Sequence, residues 1–583
     1  MGHYRNFTLA TYFVAQATAV ITREQLEAQL DFMLKHLHLD KVYLEPWRGL
    51  MASHEQVEMC REIFESRGIE VAGGLTTVMP TPEGDRPKQR LFDTLCYNDP
   101  KMTAKLREVS AFMGAHFNEF ILDDFFFTNC MCPDCVREKS AYNQAHGITD
   151  GSWQQYRLDL MRRVSERDII APARAVNPDC RIIIKYPNWA ESYQETGYNP
   201  AEQRKLFSGL YTGTETRDPL TTDQHLPRYL SYSLMTYFES MWPGHNGGGW
   251  FDNFDTHITE QYLERAYLTA FSRPRELMLF CFQSMADHMY TPALGYQLDK
   301  LDALLDHAGS PIGIACYLPD NAQGEDNVQD FLGMVGLPIL STPYFPEKAG
   351  RILLTRAAAC DPQIVEKLER YLLETGGDAI VTSGFLAATG DRGIARLTSI
   401  RHRGRMMCAN HYRVEQADGH GCLYPAAEQP VTLPVLEFRN NASWAVVKAT
   451  HEEESCGILL RDDYAAGHLW SLAVPDAYPD LYRLPAPVLN RIRQLFPVGG
   501  VWLEGPARVS LFVYDNDSFV VYPYVMEGTQ RQVVRVHAQG AAALTVPGKK
   551  QPIQPLYVKD GEAVFELPAM PGQYVLYRIQ RQA

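Results

Sequence analysis

The sequence lacks an excess of positive charge: 55 Lys and Arg stand against 70 Asp and Glu, a formal net charge of -15 over 583 residues. Because nucleic acids and anionic membranes are bound through clustered Lys and Arg, we expect neither as a partner. Apolar runs of about 18 residues, which a membrane-spanning helix needs, are missing too. So is a basic segment followed by an apolar one, the mark of a secretory signal. These absences predict a cytoplasmic location and leave neutral molecules as substrates.

Cysteine is too scarce for a disulfide framework, with 12 residues spread over the chain. Cys281 in LMLFCF and Cys316 in IGIACYL lie inside apolar segments and are expected to be reduced core residues. Cys130, Cys132 and Cys135 differ, because they follow one another with the spacing C-x-C-x-x-C. One metal ion can collect three thiolates from a single turn of this kind.

A closed tetrahedral metal site needs a fourth ligand, and Cys96 is the candidate, because CYNDP precedes the helix that leads into the next predicted strand. Thiolates select zinc or iron–sulfur over hard cations, and nothing else in the sequence suggests redox chemistry. The sequence therefore predicts a structural zinc site and no organic cofactor, the alternative being a buried cluster of reduced thiols. The predicted ligands are Cys96, Cys130, Cys132 and Cys135.

Apolar strands alternate with amphipathic helices from residue 7 to about 285, a pattern typical of βα units around a parallel sheet. The predicted strands are 7–15, 41–44, 71–78, 120–122, 181–184, 207–211, 250–254 and 277–282. Eight strands close naturally into a (β/α)8 TIM barrel. Between the sixth and seventh strands, the spacing of apolar residues over 226–242 favours a helix.

Beyond the barrel, a second α/β segment is predicted, with strands in IGIACYL, RILLTRAAA, GDAIVTSG and HLWSLAVPD. In this segment Thr382-Ser383-Gly384-Phe385 stands where a glutamine amidotransferase would have a cysteine, which removes glutaminase chemistry. Short alternating strands with Gly and Pro turns then predict a small β-sandwich. The predicted domains are 1–310, 311–497 and 498–583.

Acidic residues recur where the predicted barrel strands end, which is where barrel enzymes keep their chemistry. They are Glu45, Asp123, Asp124, Glu215, Asp218, Asp252 and Asp255, with Trp47, Tyr186, Trp189, Tyr211 and Trp250 among them. One carboxyl group can protonate a leaving oxygen while another acts as nucleophile or base, and aromatic faces stack on sugar rings. The set predicts a glycosidase, although any single acid could merely cap a helix or pair with an arginine.

Several of these motifs together resemble glycoside hydrolase family 42, the β-galactosidases. The resemblance rests on CYNDP, the acidic pair ending the fourth strand, the C-x-C-x-x-C turn and AYNQAHGITDGSWQ, over about residues 96 to 155, and on the order of the three domains. It implies zinc on the four cysteines, a homotrimer formed through a degenerate amidotransferase-like domain, and hydrolysis of a terminal sugar, a galactoside by default. The family's acid/base glutamate corresponds to Asp124, which is one methylene shorter.

The partner of Asp124 stays open between three residues. The family's nucleophile ends strand seven, which gives Asp252, or Glu239 if that strand were LMTYFESMW. Barrels resembling the α-galactosidase clan instead use strand six, which gives Glu215. We predict Asp124 with Glu215, and Asp252 as the main competitor. Residues predicted to bind the sugar or to support the pair are Glu45, Arg48, Asp123, Tyr186, Arg217 and Trp250, where Arg217 could instead neutralise Glu215 and keep it ionised.

Two other functions fit the same residues. A carbohydrate-binding protein that has lost catalysis would explain the missing glutamate on strand four, but not the acids kept on four strands. A metal-dependent hydrolase would use Asp124, Asp252 and histidines such as His225 or His245, although no HxH or HExxH spacing supports it.

Overall fold

The computed structural model describes residues 3–79, 90–217, 220–222, 224–416, 419–427, 429–526 and 530–581. Contacts divide the chain into two compact units: Met1–Gln224 with Trp242–Asp302, and His225–Met241 with Ala303–Ala583. The predicted borders at 310/311 and 497/498 stay predictions. Among the described helices, none has the length and apolarity required to cross a membrane.

In the described part of the first unit, eight parallel strands close into a barrel in chain order, which confirms the predicted TIM barrel. They are β1 (Thr8–Phe13), β2 (Lys41–Trp47), β3 (Glu70–Leu75), β4 (Glu119–Leu122), β5 (Arg181–Tyr186), β6 (Gly209–Gly213), β7 (Asn246–Asp252) and β8 (Glu276–Phe280). β1 closes the barrel by pairing with both β2 and β8.

The start of β7 was the least accurate strand prediction, since 250–254 was expected and Asn246–Asp252 is observed. The glycines at 247–249 carry no apolar side chain, so the sequence gives no strand pattern there. They are nevertheless required by close packing: a Cβ on Gly248 would lie 2.0 Å from the Glu276 carbonyl oxygen, and one on Gly249 would lie 2.2 Å from Thr269 Cγ2. Glycine lets the backbone approach its neighbours where any side chain would clash.

Helices surround the barrel. They are α1 (Ala15–Thr18), α2 (Arg23–His36), α3 (His54–Ser66), α4 (Pro100–His116), α5 (Pro133–Ala145), α6 (Gln154–Val164), α7 (Ala171–Val176), α8 (Tyr193–Thr196), α9 (Pro200–Gln203), α11 (Thr259–Phe271), α12 (Phe282–Met285) and α13 (Tyr290–Leu305), while α10 (Leu230–Met241) belongs to the second unit. α4 begins after Asp99, which accepts from the N–H groups of Lys101 and Met102, and Pro100 lies in its first turn.

The second unit contains, in its described residues, an 11-stranded mixed sheet. Its strands are β10 (Ile314–Tyr317), β11 (Ile339–Thr342), β12 (Arg351–Leu354), β13 (Asp378–Thr382), β14 (Arg401–Cys408), β15 (His411–Glu415), β16 (Gly421–Pro425), β17 (Thr432–Glu437), β18 (Ser443–His451), β19 (Glu454–Tyr464) and β20 (Gly467–Leu472), and its helices are α14 (Val328–Met334), α15 (Ile364–Thr375), α16 (Ser383–Thr389) and α17 (Ala486–Leu495). β10 to β13 and β20 are parallel, as predicted for an α/β domain.

The antiparallel strands β14 to β19 had no counterpart in the sequence prediction. β14, with the sequence RHRGRMMC, exposes five of its eight residues and carries only three apolar ones, so its pattern resembles a loop. A strand at the side of a sheet, with one face in water, gives a weak hydrophobic signal.

The chain ends in two packed antiparallel sheets, as the predicted β-sandwich requires. Over the described residues one sheet has the order β21-β24-β27-β26 and the other β25-β28-β23-β22-β9. Their strands are β9 (Pro311–Ile312), β21 (Val501–Glu504), β22 (Val509–Tyr514), β23 (Ser518–Pro523), β24 (Gln532–Gln539), β25 (Ala541–Thr545), β26 (Tyr557–Lys559), β27 (Glu562–Ala569) and β28 (Val575–Arg581).

Candidate active site

Strand periodicity places charged side chains inside the barrel at its carboxyl end. On β2, β4, β5 and β7 an aromatic residue or an isoleucine marks the inward-facing core. Since strand side chains alternate between two faces, the residue two positions later also faces inward. That residue is charged on all four strands: Glu45, Asp123, Lys185 and Asp252. Asp124 follows directly, and Glu215 lies two residues after β6.

Glu45 is buried and fully engaged by the protein. Its Oε1 accepts from the Tyr12 hydroxyl at 2.7 Å and from Thr76. Its Oε2 accepts from Arg48 Nε and from the Ala15 N–H, both at 2.8 Å. Glu45 was predicted to bind sugar, but its contacts leave it no free oxygen and make it a support for Arg48.

Arg48 links Glu45 to Asp123, and its Nη2 lies 2.7 Å from Asp123 Oδ2. Thr76 donates to the same oxygen at 3.0 Å, and the backbone N–H of Asp124 donates to Asp123 Oδ1 at 2.7 Å. Burial alone would raise the pKa of Asp123, but Arg48 and these hydrogen bonds outweigh it and hold the pKa below its usual range. Asp123 is therefore an ionised support and not a proton donor.

Lys185 joins the two carboxyl groups predicted to be catalytic. Its Nζ lies 2.7 Å from Asp124 Oδ2 and 3.1 Å from Glu215 Oε1. The ammonium group also lies 4.3 Å from the centroid of the Trp250 ring, within the range of a cation–π contact. Burial would lower the pKa of Lys185, but the carboxylates outweigh it and raise the pKa, so the side chain stays charged.

Asp124 and Glu215 differ in what they offer a ligand. Burial is the largest influence on Asp124, and with the neighbouring acids it raises the pKa of this carboxyl well above its ordinary value despite Lys185. The raised pKa suits Asp124 to the role of a proton donor. Glu215 Oε2 is buried and has no hydrogen-bond partner among the described residues. An unpartnered buried carboxylate oxygen is costly, and a bound substrate would give it a partner.

Asp252 is held by two arginines. Arg217 Nη2 lies 2.6 Å from Asp252 Oδ2, and Arg265 Nη1 lies 2.9 Å from Oδ1. The competitor for the nucleophile's place therefore has both oxygens occupied. Lys185 makes the hydrogen bond to Glu215, and Arg217 interacts with Glu215 through its charge while it pairs directly with Asp252. Asp218 lies outside the described residues.

The two aromatic predictions have different outcomes. Trp250 faces the barrel interior beside Lys185, is 2% exposed, and stacks on Phe280 at 5.1 Å between ring centroids. Tyr186 was predicted to bind substrate, but it points away from the acids. Because Lys185 faces inward, the next side chain faces the helices, and the Tyr186 hydroxyl donates to Gln203 Oε1 at 3.1 Å.

A catalytic metal site built from Asp124 and Asp252 finds no support in the described residues. His245 directly precedes β7 and so lies at the opposite end of the strand from Asp252. His225 belongs to the second unit, as does Glu239, which lies on helix α10 and not on a barrel strand. Potential metal-binding groups in the described chain are instead the four cysteines and a His54, Glu58 and His116 set.

Four supporting residues were missed by the sequence analysis: Lys185, Asn188, Tyr198 and Arg265. Asn188 donates to the Glu215 carbonyl oxygen and the Tyr198 hydroxyl donates to that of Asp124, so both fix the backbone of the pair. Lys185 could have been found, since it interrupts the apolar run RIIIKY at an inward position. Arg265 could not, because nothing in the helix TEQYLERAYLTAF predicts that its charge is buried.

The predicted cysteine ligands converge as expected for a thiolate site. The four Sγ atoms lie within 4.8 Å of one another, and Cys96 Sγ is 3.5 Å from Cys135 Sγ and 3.8 Å from Cys132 Sγ. Zinc–sulfur bonds of about 2.3 Å in a tetrahedron separate the sulfurs by roughly 3.8 Å, so the arrangement fits this ion. Asn98 Nδ2 donates to Cys135 Sγ at 3.2 Å and orients it.

Comparison with known families gives three matches along the chain. Residues 1–299 match the model described as "Probable glycosyl hydrolase, catalytic domain", and residues 500–576 match "Probable glycosyl hydrolase, C-terminal domain". Residues 309–477 match "Uncharacterized protein SSO3021, second domain". A curated relative, the uncharacterized protein SSO3021 of Saccharolobus solfataricus, is 26% identical over 298 residues, and the match covers 47% of this chain and 48% of the relative's length.

Two solved structures share the fold at low sequence identity. The α-L-fucosidase isoenzyme 2 from Paenibacillus thiaminolyticus aligns over 100% of both chains with a TM-score of 0.63 and 11% identity. The exo-β-1,4-mannosidase Op5Man5 from Opitutaceae bacterium strain TAV5 aligns over 80% of this chain and 91% of its own, with a TM-score of 0.51 and 12% identity.

Proposed function

We propose that the chain, which belongs to the family of probable glycosyl hydrolases, is a retaining glycosidase. It would remove a terminal sugar from a neutral glycoside. Asp124 is the proposed general acid and base, and Glu215 is the proposed nucleophile. The observation that carries these roles is one buried ammonium group, Lys185, which holds both carboxyls and leaves Glu215 Oε2 without a partner among the described residues.

The mechanism follows from the two environments. Glu215 Oε2 attacks the anomeric carbon while protonated Asp124 gives its proton to the leaving oxygen, so a glycosyl ester forms and the aglycone departs. Asp124, now ionised, takes a proton from water, which attacks the anomeric carbon and frees Glu215. Lys185 stays charged throughout and balances whichever carboxylate is ionised.

The distances to Lys185 support retention over inversion. The two bonded carboxyl oxygens can be no farther apart than 2.7 Å and 3.1 Å taken together. Retaining enzymes have carboxyl groups about 5–5.5 Å apart, whereas inverting enzymes need about 6.5–9.5 Å to hold a water between them.

A galactoside is the default substrate, from the resemblance to family 42, and membership of that family is itself part of the proposal. The neighbours named for fucoside and mannoside hydrolysis add two sugars to be tested. Arg48 and Arg217, which follow β2 and β6, and Arg265 of helix α11 are each paired with a carboxylate. This balance favours an uncharged sugar over a uronic acid.

The test is hydrolysis of α- and β-linked nitrophenyl galactosides, fucosides and mannosides by wild type, Asp124→Asn and Glu215→Gln, with azide added to each variant. With Asp124→Asn we expect azide to give a glycosyl azide of retained configuration. A further variant, Glu215→Ala, has a side chain small enough to admit azide and should give a glycosyl azide of inverted configuration. Proton NMR of the first-formed sugar from wild type should show the substrate's anomeric configuration.

Three results would count against the proposal. Full turnover in Glu215→Gln would rule out Glu215 as the nucleophile. A first product of inverted configuration would rule out the retaining mechanism. Absence of hydrolysis together with tight sugar binding by calorimetry would favour a carbohydrate-binding protein that has lost catalysis.

Zinc on Cys96, Cys130, Cys132 and Cys135 is also proposed. The convergence and spacing of the four sulfurs support it. A bound zinc would supply no chemistry to the sugar and would fix the turn that carries Cys130 to the loop that carries Cys96. The homotrimer is proposed from the family resemblance alone, and size-exclusion chromatography with light scattering tests it directly.

A further inference from the structure

Two helices of the barrel unit bring a second set of metal-binding side chains together. His54 and Glu58 are one turn apart on α3, so they project from the same side of the helix. His116 is the last residue of α4, and its Nδ1 lies 3.7 Å from Glu58 Oε1. The rings of His54 and His116 are 5.0 Å apart between centroids, and the three donor atoms lie within 4.8 Å of one another.

We propose that His54, Glu58 and His116 form a site for a divalent transition-metal ion such as zinc or cobalt, separate from the cysteine cluster. Two imidazoles and one carboxylate are a recurrent donor set for zinc, and imidazole also suits cobalt and nickel. The absence of thiolate makes this site chemically distinct from the cysteine cluster, and water would complete the coordination.

Only small side-chain movements are needed to close the site. Zinc bonds of about 2.0–2.2 Å bring tetrahedral ligands to roughly 3.4 Å from one another. The pair formed by Glu58 and His116 is already near this separation. His54 is exposed and the Glu58 side chain is 37% exposed, so both can turn without disturbing the core.

Arg61 is the group that opposes a bound cation. Its Nε lies 3.4 Å from Glu58 Oε1, and its Nη2 donates to the His116 carbonyl oxygen at 2.6 Å. The guanidinium therefore competes with the ion for Glu58 and repels it. Removing this charge while keeping a polar side chain should strengthen metal binding, an effect that a purely structural ion-pair cluster would not show.

The consequence of metal binding would be a clamp between α3 and α4. These helices follow β2 and precede β4, the two strands that carry Glu45 and Asp123. An ion that binds the folded protein and not the unfolded chain raises thermal stability. The site is argued from its own residues and does not depend on the proposed glycosidase activity.

The experiment is a Co²⁺ titration of the untagged full chain loaded with one equivalent of Zn²⁺, which fills the four-thiolate site and leaves the His54, Glu58 and His116 site open. Binding is followed by absorption spectroscopy and calorimetry. We expect cobalt to bind without the intense near-ultraviolet thiolate-to-cobalt absorption. The affinity for cobalt should be at least tenfold weaker in His54→Ala and in His116→Ala, and it should be tighter in Arg61→Gln. His146→Ala is the control, because His146 is exposed and its ring stacks on Tyr142 and hydrogen-bonds with the Tyr142 carbonyl oxygen.

Equal cobalt affinity in wild type and His54→Ala would overturn the proposal. So would cobalt binding whose spectrum is entirely of the thiolate type, which would assign the metal to the cysteines. His54 is exposed, so its alanine variant is expected to fold, and circular dichroism checks this. A metal-dependent rise in melting temperature that is lost in His54→Ala and kept in His146→Ala supports the clamp.

Discussion

Adjacent aspartates at the end of β4 are driven in opposite directions by their surroundings. Asp123 contacts Arg48, which with hydrogen bonds overcomes burial and lowers its pKa, whereas burial and neighbouring acids raise the pKa of Asp124. Carboxyl groups whose environments push their pKa values apart are suited to different tasks. Residue type alone does not show which of the two is the proposed proton donor, since both are aspartates at the end of the same strand.

The raised pKa of Asp124 predicts an alkaline limit to activity. The general acid must be protonated, so kcat/KM should fall as pH rises through that raised pKa. Asp124→Asn should lower kcat by roughly 10²–10⁴-fold and remove this limb of the pH profile. The loss should shrink for dinitrophenyl glycosides, whose leaving group needs no proton. Asp179→Asn, an exposed change beside the start of β5, is the control, and a limb that persists in Asp124→Asn would contradict the assignment.

Lys185 contacts both carboxyl groups of the proposed catalytic pair. Lys185→Met removes the charge that stabilises their ionised forms, so we expect kcat/KM to fall by roughly 10²–10³-fold and the pH profile to move upward. Lys185→Arg keeps the charge and should restore part of the activity. The control is Lys205→Met, whose exposed side chain pairs with Glu202. An unchanged pH profile in Lys185→Met would show that the lysine only fills space.

The sequence predicts the acids of this site better than their partners. Strand-end position was enough to bring Asp124 and Glu215 together, since both contact Lys185, while their catalytic roles stay predictions. The pairing of Asp252 with Arg265 was not predictable, because Arg265 lies on helix α11, and its burial depends on how that helix packs beside β7. Tyr186 was misassigned because the inward and outward faces of β5 were not separated by the alternation that Lys185 defines.

The cysteine turn before α5 predicts a local effect of metal removal. The turn should become less ordered, while the rest of the fold is kept. Zinc binding contributes directly to the stability of the segment that it organises. By mass spectrometry of metals we expect Cys135→Ser to contain about one zinc per chain fewer than wild type, and we expect a lower melting temperature after chelation or in Cys135→Ser. The exposed Cys422→Ser is the matched control. Equal zinc content in Cys135→Ser and wild type would exclude this ligand set.

The contact between α10 and α14 predicts a pH-dependent stability. Asp330 on α14 is buried and accepts from the Ser233 hydroxyl on α10, and burial raises its pKa to about 8. The unfolded group ionises near pH 4, so stability is greatest below that pH and falls by about 1.4 kcal/mol per pH unit until pH rises past the folded pKa. Other titrating groups add to this slope.

The Asp330 contribution is isolated by comparing wild type with Asp330→Asn. Urea unfolding at pH 5, 7 and 9 should give a smaller decrease in the free energy of unfolding for the variant, since the amide does not ionise. Asp378→Asn serves as a control, because Asp378 pairs with Arg351. Parallel pH dependences for wild type and Asp330→Asn would show that Asp330 is ionised in the folded protein.

For the whole molecule, strand and helix periodicity predicted the barrel because its parallel strands are buried on both faces and give continuous apolar runs. The same criterion failed for β14 and β15, whose half-exposed antiparallel strands carry charged side chains. It also missed β17 to β19, although most of their residues are buried. It also could not show that α10, which interrupts the barrel sequence between β6 and β7, belongs to the second unit. Membership of a unit depends on contacts distant in sequence, which periodicity does not report.

The position of α10 predicts how a barrel fragment will behave. α10 buries Leu230, Leu234 and Phe238, and Ser240 Oγ donates to Thr342 Oγ1 of β11 at 2.8 Å. A fragment of residues 1–310 contains α10 without β11, so this apolar face is uncovered. We expect the fragment to bind a hydrophobic dye and to aggregate, and Leu234→Glu with Phe238→Glu to reduce both effects. In the full chain the same pair should lower the melting temperature, because it buries charge. A monomeric fragment that binds no dye and has a cooperative unfolding transition would show that α10 is not held by the second unit.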